Sequence, residues 1–177
     1  MINNPEREVY EAIYSDNYYY HYGRTTHGKD VFKYILTLKP ESIVDIGCGH
    51  NYFIKVLSKV GIKKAIGVDF ACPSADIIAD VLYLPFEDKE FDLLTSWDVL
   101  EHLLPEQVDQ AISEMRRVSN RFAFTITYNP AGTIPPGKFK NHNLHQCCRQ
   151  PNWWKEQIEK QTTSCHNYFA YWVGKWK

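Results

Sequence analysis

Two hydrophobic periodicities alternate along the chain. Short apolar runs, such as 43–46, 65–70 and 91–97, are typical of buried strands, whereas the apolar positions of 52–60 and 105–118 recur at helical spacing. Strands that alternate with helices form parallel βαβ units, and helices cover both faces of the resulting sheet. The pattern therefore predicts an α/β fold with a doubly wound, mostly parallel sheet in a three-layer αβα arrangement.

The same periodicities place the individual elements. Helices are expected over 5–14, 28–38, 52–60, 105–118 and 151–160, and strands over 43–46, 65–70, 75–79, 91–97, 121–128 and, one or two of them, within 162–176. Neither a repeat nor a linker-like stretch divides the chain. We therefore expect one domain over 1–177, in which an N-terminal helical cap (1–39) covers a core (40–177) that carries a late loop at 129–150.

Charge and cysteine usage narrow the class of protein. Lys and Arg number 20 against 21 Asp and Glu, so the basic footprint of a duplex-binding protein is missing and nucleic acid is not expected as a partner. No apolar run reaches the roughly 20 residues that cross a membrane, and the start does not resemble a secretory signal. The five cysteines are irregularly spaced, which suits reduced thiols. We expect a cytoplasmic protein with no membrane partner.

A glycine turn follows the first strand of the core, in the segment SIVDIGCGHNYF (42–53). Ligands of open parallel sheets bind at the carboxyl ends of the strands, and Gly47 and Gly49 would let the backbone approach such a ligand closely. Asp45 stands two positions before the turn, where its charge would oppose a pyrophosphate. The turn therefore favours a ligand that carries a positive charge and no phosphates, and S-adenosylmethionine fits this description.

Acidic residues also end the next two predicted strands. Asp69 lies at the end of the second strand, where a carboxylate can accept hydrogen bonds from both hydroxyls of a ribose. Asp80 follows the third strand and can accept from an adenine amine, while Val81 and Leu82 flank the ring. The segment SWDVLEHL (96–103) follows the fourth strand and would lie near the reacting end of the cofactor.

Taken together, these motifs resemble the class I S-adenosylmethionine-dependent methyltransferases, the small type 11-like ones in particular, over roughly residues 40–128. The resemblance implies a Rossmann-like sheet with one antiparallel strand near the C-terminus and a cofactor-binding core at 40–177. It implies that Asp45, Gly47 and Gly49 line the methionine end of the cofactor. The residues expected at the cofactor are Arg24, Asp45, Gly47, Cys48, Gly49, Asn51, Asp69, Phe70, Asp80, Val81, Ser96 and Trp97.

One position departs from the family pattern. The family usually writes G-x-G-x-G, and the last glycine is replaced here by Asn51. Asparagine tolerates the left-handed backbone conformation better than most residues, so we expect the loop to form. We also expect the Asn51 side chain to crowd the ligand and to weaken cofactor binding.

Candidate catalytic groups lie on the acceptor side. His102, His145 and Asp98 are the candidates, with a histidine as the general base if the acceptor needs one. A helix-edge histidine without a catalytic role is the alternative for His102. The cysteines at 147 and 148 are adjacent, which suits tetrahedral zinc poorly, so no metal site is expected in the late loop.

The N-terminal cap and the short loops bear on the acceptor. Arg24 could pair with the cofactor carboxylate or could lie on the surface. The acceptor pocket is expected to be shallow, or to be completed by a second copy in a homodimer or by a protein partner. The sequence therefore predicts a methyltransferase that acts on an oxygen or nitrogen of a small-molecule or carbohydrate-like acceptor. The alternative is a non-catalytic subunit with the same fold that supports a partner protein.

Overall fold

The computed structural model describes residues 6–16, 29–131, 133–168 and 171–177. Its helices are α1 Glu6–Ser15, α2 Lys29–Thr37, α3 Tyr52–Lys59, α4 Val108–Val118 and α5 Pro151–Gln161, and its strands are β1 Ser42–Ile46, β2 Lys64–Asp69, β3 Ile77–Ile78, β4 Phe91–Trp97, β5 Ser119–Thr125, β6 Thr162–Tyr168 and β7 Tyr171–Trp176. Short 3-10 turns cover Leu100–His102, Pro105–Gln107 and Gly137–Phe139.

The strands form one seven-stranded sheet in the order β3-β2-β1-β4-β5-β7-β6. All neighbouring pairs from β3 to β5 are parallel, and β7 runs antiparallel to both β5 and β6. The predicted Rossmann-like sheet with an antiparallel strand near the C-terminus is therefore confirmed. The strand order reverses at β1, which lies between β2 and β4, so the carboxyl ends of these three strands border the crevice in which such sheets bind ligands.

Alternate strand residues build two cores, one on each face of the sheet. Ile43, Leu93 and Ala123 face α2 and α3, which contribute the buried residues Ile35, Ile54 and Leu57. The opposite face carries the larger core, with Val44, Ile46, Val68, Leu94, Phe122, Phe124, Ile112, Met115, Trp154 and Ile158 buried between the sheet, α4 and α5. The three-layer arrangement thus follows from the apolar character of both strand faces.

Two strands are shorter than predicted, and both shortenings shape the site. β3 keeps only Ile77–Ile78 of the predicted 75–79, because Asp76 turns its carboxylate to the Gly67 backbone N–H (2.8 Å). β5 ends at Thr125 rather than at residue 128. The backbone after it leaves the sheet, and the Thr127 N–H donates to the Glu101 carboxylate (2.9 Å).

Helix α1 packs over the edge of the sheet formed by the carboxyl ends of the strands. Its buried residues Val9 and Ile13 form a small core with Leu144 of the late loop. This packing holds the late loop and α1 together above the ends of β1, β2 and β4. None of the helices in the described part of the chain combines the length and the apolar character that crossing a membrane requires.

Candidate functional site

The turn after β1 is tied to β2 by its backbone. The N–H groups of Gly47 and Cys48 both donate to the Val68 carbonyl (2.8 and 3.0 Å), and Gly47 and Gly49 have φ values of 72° and 51°. A Cβ on Gly47 would lie 2.2 Å from a methyl carbon of Val99, so position 47 has no room for a side chain. Burial raises the pKa of the Cys48 thiol, which keeps it neutral in this turn.

Asp45 lies buried beneath the turn, in the middle of the sheet. Its Oδ1 accepts a hydrogen bond from the Thr95 hydroxyl (2.6 Å). Burial raises the pKa of the Asp45 carboxyl to about 7, with a further upward contribution from Asp69 and an opposing one from Thr95. A ligand that brings a positive charge to this end of the crevice would favour the ionised carboxylate.

The backbone holds the Asp69 carboxylate in place at the end of β2. Oδ1 accepts from the N–H groups of Ala71 and Cys72 (2.9 and 2.8 Å), and Oδ2 accepts from the Gly49 N–H (2.9 Å). The Tyr14 hydroxyl of α1 also donates to Oδ2 (3.2 Å). The Asp69 carboxylate therefore connects the glycine turn to α1. No sequence signal near the glycine turn pointed to Tyr14, because it lies 55 residues before Asp69.

The Asn51 side chain is buried beneath the turn, and the expectation that it weakens cofactor binding stays a prediction. Asn51 begins α3 in the left-handed conformation (φ 63°, ψ 27°), as expected for an asparagine in place of glycine. Its buried side chain points towards Gly67 of β2. A Cβ added to Gly67 would lie only 2.0 Å from Asn51 Oδ1. The missing side chain of Gly67 therefore provides the space for Asn51 beneath the turn.

The third acid, Asp80, lies after β3 beside an apolar surface. Its Oδ1 accepts from the Leu82 N–H (3.0 Å), and Val81 and Leu82 are buried next to it. Phe70 is half-buried at the end of β2, with the Tyr10 ring edge-on at a centroid distance of 6.3 Å. This side of the crevice thus combines a carboxylate with apolar surface, as an adenine ring would require.

The end of β4 carries buried polar atoms. Ser96 Oγ and Trp97 Nε1 are buried and have no hydrogen-bond partner among the described residues, and the Trp97 ring packs edge-on against Phe53 (5.5 Å). Asp98 has a φ of 54°, and its Oδ1 accepts from the hydroxyls of Thr125 and Thr127 (2.9 and 3.2 Å). Asp98 is thereby held towards the end of β5.

His102 and His145, from the fourth-strand segment and the late loop, come together in the fold. Their ring centroids are 4.7 Å apart with the rings nearly perpendicular. His102 Nδ1 lies 3.0 Å from the Leu144 carbonyl oxygen and 2.7 Å from the Tyr10 hydroxyl. Burial of the ring, with His145 beside it, lowers the pKa of His102 to about 4, so His102 is neutral at physiological pH.

Sequence reasoning missed Glu101, which lies beside the two histidines. Its side chain is completely buried, and its Oε1 accepts from the Thr127 N–H (2.9 Å). Burial, with an added contribution from the neighbouring Asp98, raises the pKa of this carboxyl to about 8. An acid next to a histidine in DVLEHL could have marked the position, but the sequence does not show that Glu101 points inward.

The remaining candidates fall elsewhere. Arg24 lies outside the described residues. His142 of the late loop pairs with Glu6 Oε2 of α1 (2.8 Å) and so contributes to holding the loop rather than to the crevice. Cys147 is buried, and burial raises the pKa of its thiol to about 11.

Comparison with known proteins matches the region that carries these features. Residues 44–122 match the family model described as "Methyltransferase domain". A relative from Bos taurus, named "Probable tRNA methyltransferase 9B", is 35% identical over 99 residues. The matched segment is 50% of this chain and 21% of the relative, so the chain spans only a small part of that protein's length.

Solved structures share the fold over more of the chain. The PH0226 protein from Pyrococcus horikoshii matches 98% of this chain and 99% of its own chain, with a TM-score of 0.66 and 15% identity. An S-adenosylmethionine-dependent methyltransferase from Archaeoglobus fulgidus matches 82% of this chain and 73% of its own, with a TM-score of 0.59 and 23% identity. At these identities the likeness shows the fold.

The expectation that nucleic acid is not a partner is wrong. Relatives from cattle, mouse and human all carry the name "Probable tRNA methyltransferase 9B". The expectation failed because it rested on the net charge of the whole chain, which says little about one surface and nothing about a partner that supplies basic residues. The domain match over residues 44–122, the sheet topology and the acids at the ends of β1, β2 and β3 together support a class I S-adenosylmethionine-dependent methyltransferase, with S-adenosylmethionine as the cofactor.

Proposed function

We propose that this chain transfers the methyl group of S-adenosylmethionine to an oxygen or nitrogen of an acceptor bound beside His102 and His145. The observation that carries the proposal is the Asp69 carboxylate, which backbone N–H groups fix at the end of β2 and connect to the glycine turn. When bound, S-adenosylmethionine supplies an electrophilic methyl group on a positively charged sulfur. The residues of the chain supply binding, orientation and exclusion of water, which can provide most of the catalysis of an in-line displacement.

The three acids divide the cofactor between them in this proposal. Asp69 accepts hydrogen bonds from the ribose hydroxyls, and Asp80 accepts from the adenine amine while Val81 and Leu82 contact the ring. Asp45 lies beneath the methionine end and stabilises its ammonium group through charge. The buried Ser96 Oγ, which has no partner among the described residues, lies at the end of β4 on the same side. The Tyr14 hydroxyl has to leave Asp69 Oδ2 before a ribose hydroxyl can take its place.

The two histidines orient the acceptor. The Leu144 and Asn129 carbonyl oxygens can only accept hydrogen bonds, and they lie 3.0 and 2.5 Å from Nδ1 of His102 and His145, respectively. His145 Nδ1 therefore carries a proton, which leaves the Nε2 lone pair of that ring as an acceptor. His102 Nδ1 also has the Tyr10 hydroxyl at 2.7 Å, a group that can either donate or accept. An Nε2 lone pair can hold the hydrogen of an acceptor hydroxyl or amine and draw it away as the methyl group arrives.

A tRNA nucleotide is the first acceptor to test, since named relatives are probable tRNA methyltransferases. The matched segment coincides with the cofactor-binding half, so it supports methyl transfer more strongly than any particular acceptor. With 20 basic and 21 acidic residues the chain has little overall attraction for RNA, and a protein partner would supply the missing basic surface. A small molecule is the alternative acceptor.

Titration of the chain with S-adenosylhomocysteine by calorimetry tests the cofactor site. Asp69→Asn removes the charge that receives the ribose hydroxyls, so we expect the affinity to fall by about tenfold to a hundredfold. Asp92→Asn is a matched control, because Asp92 also accepts from backbone N–H groups (Glu41 and Ser42; 2.8 and 3.1 Å) but lies near the start of β4, at the opposite end of the strands. Equal affinities for the wild type and both variants would contradict the proposal.

Transfer of a labelled methyl group then identifies the acceptor class. Incorporation into tRNA by the wild type, and not by Asp69→Asn, would support a tRNA methyltransferase. Incorporation only into a small-molecule fraction would support the alternative acceptor. Tight binding of S-adenosylhomocysteine without any transfer, with and without a cell extract to supply partners, would overturn catalysis and favour a non-catalytic subunit.

A further inference from the structure

We propose that Glu101, His102 and His145 form a binding site for one divalent transition-metal ion, with Zn²⁺ or Fe²⁺ as the chemical type that fits best. One ligand atom on each of the three side chains lies within 4.8 Å of the other two. The three residues come from two distant parts of the chain, the turn after β4 and the late loop. This inference goes beyond methyl transfer and holds whether or not transfer is observed.

Both histidines are already arranged as metal ligands commonly are. A ligating histidine usually donates its second ring N–H to a backbone carbonyl or a carboxylate, which fixes the tautomer and the direction of the other nitrogen. His102 Nδ1 lies 3.0 Å from the Leu144 carbonyl oxygen, and His145 Nδ1 lies 2.5 Å from the Asn129 carbonyl oxygen. The nitrogen left for an ion is therefore Nε2 in His145, and it is Nε2 in His102 when His102 Nδ1 donates to the Leu144 carbonyl rather than accepting from the Tyr10 hydroxyl.

Glu101 supplies the independent indication of a ligand. Its side chain is 0% exposed, and its Oε1 accepts from the Thr127 N–H (2.9 Å). Its Oε2 is buried with no hydrogen-bond partner among the described residues. A buried carboxylate oxygen without a partner is costly, and coordination of a cation would remove that cost.

The set of donors defines the kind of ion. Two imidazole nitrogens and one carboxylate are the ligands of catalytic zinc sites and of non-haem iron sites, both of which leave positions open for water or substrate. Ligands about 2.0–2.1 Å from a tetrahedral zinc ion are about 3.3 Å apart, so the three groups would close by about 1.5 Å at most. Rotation of the side chains can provide a movement of this size.

The open position would face the acceptor side of the crevice, because His102 follows the fourth strand at the cofactor site. An ion there can bind an acceptor hydroxyl and lower the pKa of that hydroxyl, as zinc does for water. The ion would then take over the activation that the proposed function assigns to the histidine lone pairs. The cofactor would still be held by Asp69 and Asp80, away from the three ligands.

Titration of the chelator-treated protein with Co²⁺ and with Zn²⁺ tests the site. We expect one equivalent of each ion to bind, and Co²⁺ to give the visible absorption of a four- or five-coordinate nitrogen and oxygen site. His145→Gln and Glu101→Gln should each weaken binding by about tenfold to a hundredfold or more. Titration with S-adenosylhomocysteine, with unchanged affinity in His145→Gln, would show that the fold is intact.

The matched control is His142→Gln. His142 lies in the same loop but pairs with Glu6, so its replacement should leave Co²⁺ binding unchanged. Equal Co²⁺ affinity for the wild type and His145→Gln, or an equal loss in His142→Gln, would overturn the site. A thiolate-to-cobalt absorption band that disappears in Cys148→Ser would also overturn it, because it would locate the ion at the cysteines of the late loop.

Discussion

Asn51 and Gly67 show how a single departure from a family pattern is accommodated. Asparagine takes the left-handed backbone conformation that glycine would take in the turn, and its side chain is buried beneath the turn. The space comes from β2, where Gly67 has no side chain to meet Asn51 Oδ1. The missing side chain of Gly67 therefore leaves the space that the Asn51 side chain occupies.

This pairing predicts non-additive effects of substitution. Gly67→Ala would place a Cβ 2.0 Å from Asn51 Oδ1, and we expect it to lower the free energy of unfolding by roughly 1–3 kcal/mol and to weaken binding of S-adenosylhomocysteine. Asn51→Gly alone should be tolerated, because glycine accepts the same backbone conformation. Urea denaturation of both single variants and of the double variant measures the coupling. Because the added Cβ would also lie 2.8 Å from Cys48 Sγ, Asn51→Gly should restore only part of the stability lost in Gly67→Ala. Fully additive effects in the double variant would mean that the two side chains do not share this space.

The sequence was informative at residues whose role depends on their place in a strand. Asp45, Asp69 and Asp80 could be singled out because each ends or nearly ends a predicted strand, and parallel strands bring such ends to one edge. Tyr14 and Glu101 could not be singled out. Tyr14 reaches Asp69 across 55 positions, and the burial of Glu101 depends on how the late loop covers it.

At the scale of elements, periodicity predicted nearly every helix and strand. β4 has the predicted bounds 91–97, and α5 differs by one residue at its end. β3 was the weakest prediction, because its two paired residues depend on the Asp76 hydrogen bond to β2 rather than on a hydrophobic pattern. The position of α1 over the site was expected only as a general cap. Its contacts are set by Val9, Ile13 and Leu144, which no local pattern connects.

Helix α1 carries two tyrosines one turn apart that contact opposite sides of the site. The Tyr10 hydroxyl lies 2.7 Å from His102 Nδ1, and the Tyr14 hydroxyl donates to Asp69 Oδ2 (3.2 Å). In the proposed complex the ribose hydroxyls use the same carboxylate. The Tyr14 hydroxyl therefore competes with the cofactor for one oxygen.

Tyr14→Phe removes this competition and keeps the ring that packs edge-on against His50 at 5.6 Å. We expect S-adenosylhomocysteine to bind about twofold to tenfold more tightly to the variant, as the loss of one hydrogen bond from the free protein implies. Tyr10→Phe, on the same helix, should leave the affinity unchanged. Calorimetry compares the three proteins. Weaker binding to Tyr14→Phe would mean instead that Tyr14 contributes to holding the cofactor.

At the scale of the whole molecule, the site carries buried acidic groups that no basic side chain among the described residues neutralises. Asp45 is 1% exposed and receives one hydroxyl hydrogen bond, and Glu101 is fully buried beside Asp98. Burial of a carboxylate without a cation lowers the stability of the folded state at any pH at which the group would be ionised in the unfolded chain. The binding site is thus maintained at a cost to the stability of the empty protein.

The pH dependence of unfolding measures this cost. Burial raises the pKa of Asp45 from 3.8 in the unfolded chain to about 7 in the folded one, so the folded state binds an extra proton between these values. Stability is therefore highest below the unfolded pKa, falls as the pH rises towards about 7, and levels off above it. Asp45→Asn lacks this titrating carboxyl, whereas Glu101 contributes equally to the wild type and the variant. Urea denaturation measures the free energy of unfolding of both proteins. We expect the difference between Asp45→Asn and the wild type to shift in favour of the variant by roughly 3–4 kcal/mol from pH 4 to pH 8, at about 1.4 kcal/mol for each pKa unit of difference. Glu106→Gln, at an exposed position, serves as the control. Parallel stability curves for Asp45→Asn and the wild type would show that burial does not raise the pKa of Asp45. A bound ammonium group favours the ionised form of Asp45. The wild type should therefore bind S-adenosylhomocysteine more tightly as the pH rises towards 7, over the same range in which the stability of the wild type falls. Asp45→Asn should show neither trend.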